Sequence, residues 1–166
     1  IQGEFEDNEA KYRGGAIFNT FYVDNGLGKG AGVTVDGNFY RNNAGEYGGA
    51  IYNDGTKDVG NLSGGVMTVN NSNFNYNTAG NEGGAIFNSG TMDINGGEFV
   101  GNKVENGYGG AIKNSGTMTI TDANFYDNIA YVNGAVATSP KDAVKTTITG
   151  GRFEDNYALA DGGALG

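Results

Sequence analysis

The 166-residue chain has no cysteine and no histidine. That removes disulfides, Cys/His zinc sites, thiol nucleophiles and the Ser-His-Asp triad together. Only oxygen donors could hold a metal, and neither a metal site nor a cofactor is expected. Proline occurs once, and 10 basic residues face 19 acidic ones, a net charge of -9. Such a surface repels nucleic acid and anionic lipid, so neither is expected as a partner. Long apolar runs are missing as well. Aliphatic residues are scattered singly, no amphipathic helix can be drawn, and nothing approaches the roughly 20 consecutive apolar residues of a membrane-spanning helix. No direct membrane insertion by this segment is expected. No secretory signal begins at Ile1, as expected of a processed protein or an internal piece.

What is abundant is glycine, 32 residues, and it falls into a repeat. Phenylalanine followed three residues later by asparagine occurs at Phe5/Asn8, Phe39/Asn42, Phe74/Asn77, Phe99/Asn102, Phe125/Asn128 and Phe153/Asn156. Two residues past each asparagine stands Ala10, Ala44, Ala79, Val104, Ala130 or Ala158. A second motif follows as Gly14 to Ile17, Gly48 to Ile51, Gly83 to Ile86, Gly109 to Ile112, the degenerate Asn133 to Val136, and Gly162 to Leu165. Asn19, Asn53, Asn88 and Asn114 come two residues later in four copies, and Thr138 in the fifth. A third apolar stretch, such as Met92-Asp93-Ile94 or Met118-Thr119-Ile120, precedes each later phenylalanine.

Each copy therefore holds three strand-like pieces separated by glycine and asparagine turns. One such coil cannot bury its apolar side chains, whereas stacked coils place like residues above one another at the roughly 4.8 Å spacing of paired strands. The expected fold is all-β: a right-handed single-stranded parallel β-helix, a pectin-lyase-like solenoid of about six coils with three short strands per coil. Six coils make a rod on the order of 25 to 30 Å long. Residues 1–166 read as one segment, a fragment of a longer solenoid. Phenylalanine, alanine and isoleucine should stack inside. The glycine pairs should turn corners too tight for a Cβ, and the asparagines should stack at corners, each amide bonding to its neighbours.

The pairing of FxxN with GGA(I/V/L) resembles the repeat of the chlamydial polymorphic outer membrane proteins and related autotransporter-type adhesins, across essentially the whole chain. The resemblance implies an extracellular passenger β-helix displayed on the bacterial cell surface for adhesion or scaffolding. It implies as partners a host protein or glycan, or neighbouring copies of the same protein, and no enzyme activity. This chain has no outer-membrane barrel segment and lacks the cysteines found in some members.

A solenoid core is structural, so binding residues are sought where the repeat breaks. Breaks fall at about Thr20 to Ala31, Asp54 to Gly64 and Ser139 to Lys145, and Phe21, Tyr22, Asp24, Asp54, Lys57 and Asp58 are the candidate contacts. Tyrosines outside the phenylalanine series, among them Tyr12, Tyr40, Tyr47, Tyr76, Tyr108, Tyr126, Tyr131 and Tyr157, present flat apolar faces with polar tips; they share no single column in the sequence, and packing over corners is the simpler expectation. An alternative reading is a carbohydrate-binding or carbohydrate-active β-helix: Asp127 and Asp155 follow their phenylalanines by two residues in consecutive coils, and close carboxylates can act as acid and base. No other positions complete a cleft, so no catalytic residue is assigned. A third reading, ice binding, would use the outward Thr34, Thr68, Thr119 and Thr147, but Asp93 interrupts them.

Overall fold

The alternation of small, polar and single apolar residues gives no segment the means to bury itself alone, and the chain meets this by stacking. The computed structural model describes residues 1–20, 23–24, 27–28, 32–55, 64–141 and 143–166. Among these residues no helix occurs, and every strand pair is parallel except Val23–Asp24 with Leu27–Gly28. The chain is a parallel β-helix of six stacked coils whose phenylalanines are in one register: Phe5 pairs with Phe39, Phe39 with Phe74, and so on through Phe99 and Phe125 to Phe153.

A complete coil runs through four short pieces. The coil of Thr91–Asn95, Glu98–Val100, Lys103–Val104 and Ile112–Asn114 shows all of them. Three are the strands expected from the repeat. The fourth is a two-residue ladder at the alanine beyond the asparagine, where Ala10, Ala44, Ala79 and Val104 stack. In the second coil the first two pieces merge into one nine-residue strand, Gly32–Tyr40, which joins the two sheets.

The interior is filled column by column. The phenylalanine rings stack with centroids 4.7 Å apart and planes within 10° at every step, the coil spacing itself. Phe39, Phe74, Phe99 and Phe125 are fully buried, and with them in the core lie Met67, Met92, Met118 and Ile51, Ile86, Ile112. A coil whose ring were missing would leave a gap bounded by rings above and below.

Between the phenylalanine strand and the alanine ladder runs a buried asparagine column. Asn42, Asn77, Asn102 and Asn128 are all fully buried. Each Nδ2 donates to the Oδ1 of the next asparagine at 2.8 to 3.0 Å, and each backbone N–H donates to the same oxygen. The second Nδ2 proton goes back to a phenylalanine carbonyl of the preceding coil, Asn77 to Phe39 and Asn102 to Phe74. The side chain thus meets its full donor and acceptor capacity inside a dry interior.

The expectation that every asparagine of the series bonds to neighbours on both sides needs correction at the two outermost coils. Asn156 is half-buried rather than enclosed. Its Oδ1 accepts from the Asn128 N–H and Nδ2, and its Nδ2 donates to the Phe125 carbonyl at 2.9 Å, but among the described residues no asparagine stacks beyond it to receive its other proton. Asn8, in the first coil, is exposed, and its N–H and Nδ2 both donate to Asn42. Among the described residues each of the two has a stacking partner on one side only, and Asn42, Asn77, Asn102 and Asn128 are the members that are buried and bonded on both sides. Phe5 and Phe153 are half-buried for the same reason.

A second column, Asn19, Asn53, Asn88 and Asn114, repeats the device at another corner. It ends where Asn114 donates to the Thr146 hydroxyl, which also bonds Thr138.

The corners require left-handed backbone. Gly14, Gly48, Gly83, Gly109 and Gly162 hold φ of +58 to +71°, and in the degenerate copy Asn133 takes the position at +57°, asparagine being among the side chains that tolerate it best. The glycine after each has a different reason: a Cβ on Gly84 would collide with the Gly110 carbonyl of the next coil.

This geometry makes a stability prediction. Asn77→Leu removes the partner of the Asn42 N–H and Nδ2 and of the Phe39 carbonyl, leaving buried polar groups unpaired, and should cost about 3 kcal/mol. Asn156→Leu strands the equivalent three groups, on Asn128 and Phe125, but at a half-buried corner that water can reach, so it should cost less, about 1 kcal/mol. Chemical denaturation followed by circular dichroism measures both, and an unchanged midpoint for Asn77→Leu would mean that the asparagine column carries no weight.

Candidate functional site

Of the candidate contacts in the breaks, Phe21, Tyr22, Lys57 and Asp58 lie outside the described residues. Asp24 belongs to the two-residue strand Val23–Asp24. Asp54 is not part of a projecting loop: it is buried, its N–H donates to the Asn19 carbonyl, and its carboxylate accepts from the Thr20 hydroxyl. Its place is in the corner that receives Gly65, whose N–H donates to the Asp54 carbonyl.

Asp127 and Asp155 stack on consecutive coils, with the Asp127 N–H donating to the Glu154 carbonyl. Both are exposed and both hold left-handed backbone, at φ of +55 and +54°. The same corner position is filled by Asp7, Arg41, Tyr76 and Gly101 in the other coils. A position that accepts aspartate, arginine, tyrosine and glycine is selected by the shape of the turn. Neither aspartate lines the surface grooves at Lys11 to Arg13 and along the alanine ladder. In the first two coils the position carries an ion cluster: Arg41 reaches Glu6 and Asp7, each at 2.7 Å, and its guanidinium holds the Asp7 carboxyl below the usual carboxylate range.

The outer face of the isoleucine strands carries a layer the repeat does not advertise. Phe18, Tyr52, Phe87, Lys113 and Ala137 stand in one outward column. Beside it runs a column of Arg13, Tyr47, Glu82, Tyr108 and Val132. Tyr47 and Tyr108 therefore do share a column, at the position just before each second motif, where the residue type changes from coil to coil. The rings of Phe18, Tyr52 and Phe87 stack at 5.3 and 5.0 Å, and Arg13 lies 5.0 Å over Tyr52. Lys113 continues this column with its amine 4.9 Å over Tyr108. It is only 5% exposed. Burial pushes the Lys113 amine down, partly opposed by the Glu82 carboxylate, and burial pushes Glu82 and the Tyr52 phenol up.

Two other outward faces complete the rod. On the strands before the phenylalanines, Thr34, Thr68, Asp93, Thr119 and Thr147 form one column, and neighbouring outward columns hold threonine together only at Thr117, Thr119 and Thr121 and at Thr147 and Thr149. On the alanine ladder, the outward column is Glu9, Asn43, Thr78, Lys103, Ile129 and Tyr157. Here a groove of about 480 Å³ is floored by Gly45 and Gly80 and walled by Asn43, Thr78, Lys103, Glu105 and Asn106. A second groove, of about 560 Å³, lies among Lys11, Tyr12, Arg13, Phe18 and Glu46.

Residues 3–20 and 71–89 match the model of the Chlamydia polymorphic membrane protein repeat. These stretches hold Phe5, Asn8 and the Gly14 to Ile17 motif in one coil, and Phe74, Asn77 and the Gly83 to Ile86 motif in another, and the remaining coils stack on them in the same register. In these two stretches the chain is similar to that repeat. Neither a curated protein nor a solved structure matches the chain.

The buried Lys113 gives a pH-dependent prediction. A lysine whose pKa is lowered on folding binds fewer protons in the folded chain than in the unfolded one, so wild-type stability should rise with pH toward the ordinary lysine range. Lys113→Met keeps the length, lacks the charge and should be about 1 kcal/mol more stable at neutral pH. Thermal melts at neutral and alkaline pH should show that advantage shrinking as the pH rises. A constant difference would contradict the assignment.

Proposed function

We propose that this chain, built on the polymorphic membrane protein repeat, is a non-enzymatic stretch of extracellular surface rod that acts in adhesion and display at the bacterial cell surface. The repeat match carries the reading. The use of the polar residues supports it: the buried asparagines and Asp54 are engaged in holding coil to coil or closing a corner, and the stacked carboxylates Asp127 and Asp155 sit exposed in a turn position that arginine, tyrosine and glycine also fill. A catalytic site needs convergent groups held in a sheltered place, and a rod that presents long solvent-facing columns offers extended contact instead. A host protein or glycan is the partner this reading calls for, and the breaks in the repeat at residues 21–31 and 56–63 are where such contacts concentrate in solenoids.

Beads coated with the purified chain should adhere to cultured epithelial cells. Replacing residues 21–31 and 56–63 with short glycine-serine turns, with Asp54 and Gly65 kept in place, should lower adhesion while the melt stays unchanged. Equal adhesion by the shortened chain would remove the breaks as the contact, and no adhesion by the intact chain would remove the adhesion reading. Asp127→Asn with Asp155→Asn should leave both stability and adhesion as they are.

A further inference from the structure

We infer that the outward face of the alanine ladder is a binding subsite for a neutral oligosaccharide. The inference rests on the surface-rod reading above for its setting and adds a contact that lies away from the breaks in the repeat.

The face divides into two parts along the rod. In the second to fourth coils it is a polar groove, where Gly45 and Gly80 follow the stacked alanines without side chains and leave an open floor of backbone. Asn43 and Thr78 form one wall, already joined to each other by the Thr78 hydroxyl donating to Asn43 at 2.8 Å. Asn106 and the ion pair of Lys103 with Glu105 close the groove at the fourth coil. In the fifth and sixth coils the same columns turn apolar. Ile129 and Tyr157 continue the line of Asn43, Thr78 and Lys103, and Tyr131 and Leu159 follow the stacked Ala130 and Ala158 as Gly45 and Gly80 follow Ala44 and Ala79. These four side chains are 37 to 62% exposed, a cluster of large apolar groups of a kind that marks interaction sites when contiguous.

The chemistry selects among ligands. A peptide strand cannot add to this face, because the backbone groups of the ladder already bond coil to coil, as from Gly45 N–H to Ala10 and from Gly80 N–H to Ala44, leaving no open edge. A polyanion meets a chain of net charge -9, and the lysine of the groove is already paired with Glu105. A wholly apolar ligand would strip water from the Asn43 and Asn106 amides and offer their N–H groups no acceptor. A neutral sugar chain meets all of these conditions. Its hydroxyls suit amide and hydroxyl walls, its flat C–H faces suit exposed tyrosine rings, and a glycine floor admits its close approach. The groove volume of about 480 Å³ falls in the range of small-ligand sites, roughly 300 to 1,000 Å³.

The test is titration of the isotopically labelled 166-residue chain, followed by amide NMR shifts, with chitotetraose, cellohexaose and lacto-N-neotetraose, and with a heparin hexasaccharide as the anionic contrast. At least one neutral sugar should shift the amides of Gly45, Ala79, Gly80 and Tyr131. The double variant Tyr131→Ala, Tyr157→Ala alters exposed rings only and should keep the wild-type melt while weakening binding about tenfold. Asn106→Ala, also exposed, serves as the second variant from the other end of the groove and should weaken binding as well. The inference is overturned if no neutral sugar of the panel shifts these amides, if heparin alone does, or if both variants bind as the wild type does. Adhesion to cells is read separately: sugar binding without adhesion supports this site and contradicts the adhesion reading, and adhesion without any sugar shift contradicts this site alone.

Discussion

The structure depends on the hydrogen bonding of one coil to the next, and the buried asparagine column is where that dependence is most demanding. A backbone ladder alone allows coils to slip along their strands, and a slip by one residue would turn every inward side chain outward. The column forbids this. An asparagine displaced by one position would lose both donors to its Oδ1 and both acceptors of its Nδ2 at once, in an interior where each unpaired group costs about 1 to 3 kcal/mol. The phenylalanine stack reinforces the same register through shape, since rings 4.7 Å apart leave no room for a residue out of step. Polar specificity and apolar packing thus point to one alignment of coils, the agreement across levels that a uniquely folded chain needs.

From this constraint follows a division of labour. The inward columns and the corner that opens the second motif are held to a few residue types: glycine or asparagine at its left-handed first position, alanine or glycine where coils touch, asparagine where the corner carbonyls need donors. The outward columns are free to vary, and they do. One corner position runs through aspartate, arginine, tyrosine and glycine, and the outward column of the alanine ladder passes from glutamate through asparagine, threonine and lysine to isoleucine and tyrosine. A rod of this kind can carry different surfaces on an unchanged frame, which suits a repeat used for display.

Much of the frame is legible in the amino-acid sequence. The spacings of Phe74, Phe99, Phe125 and Phe153 measure one coil each, and a motif repeated in register with a corner residue on either side leaves little choice of fold. What escapes has identifiable causes. The short ladder at Ala44 and Ala79 is two residues long, too brief for an alternation pattern to register. The column of Arg13, Tyr47, Glu82 and Tyr108 stands just before each glycine pair, but its residue type changes from coil to coil, so no repeated residue marks it. Lys113 is buried because it continues the aromatic column of Phe18, Tyr52 and Phe87, a neighbourhood that only the stacking of coils creates. Asp54 opens a break in the repeat, yet it is buried in a corner and bonded to Asn19 and Gly65. Asn156 carries the same motif as Asn77, yet it is half-buried where Asn77 is enclosed, because among the described residues an asparagine stacks on it from one side only. In each case the missing information was contact between coils, which no single copy of the repeat contains.

The asparagine column can be observed directly. Hydrogen exchange of the side-chain amides, resolved by NMR, separates the buried Asn42, Asn77, Asn102 and Asn128 from the exposed Asn38 and Asn95. Amides that bond coil to coil in a dry interior exchange only when the stack opens, so the four buried side chains should be protected to the same extent as the backbone amides of the phenylalanine strands, and the two exposed ones should exchange at once. Rapid exchange of the buried four would contradict the account, since it would show that the coils are held in register by something other than this column.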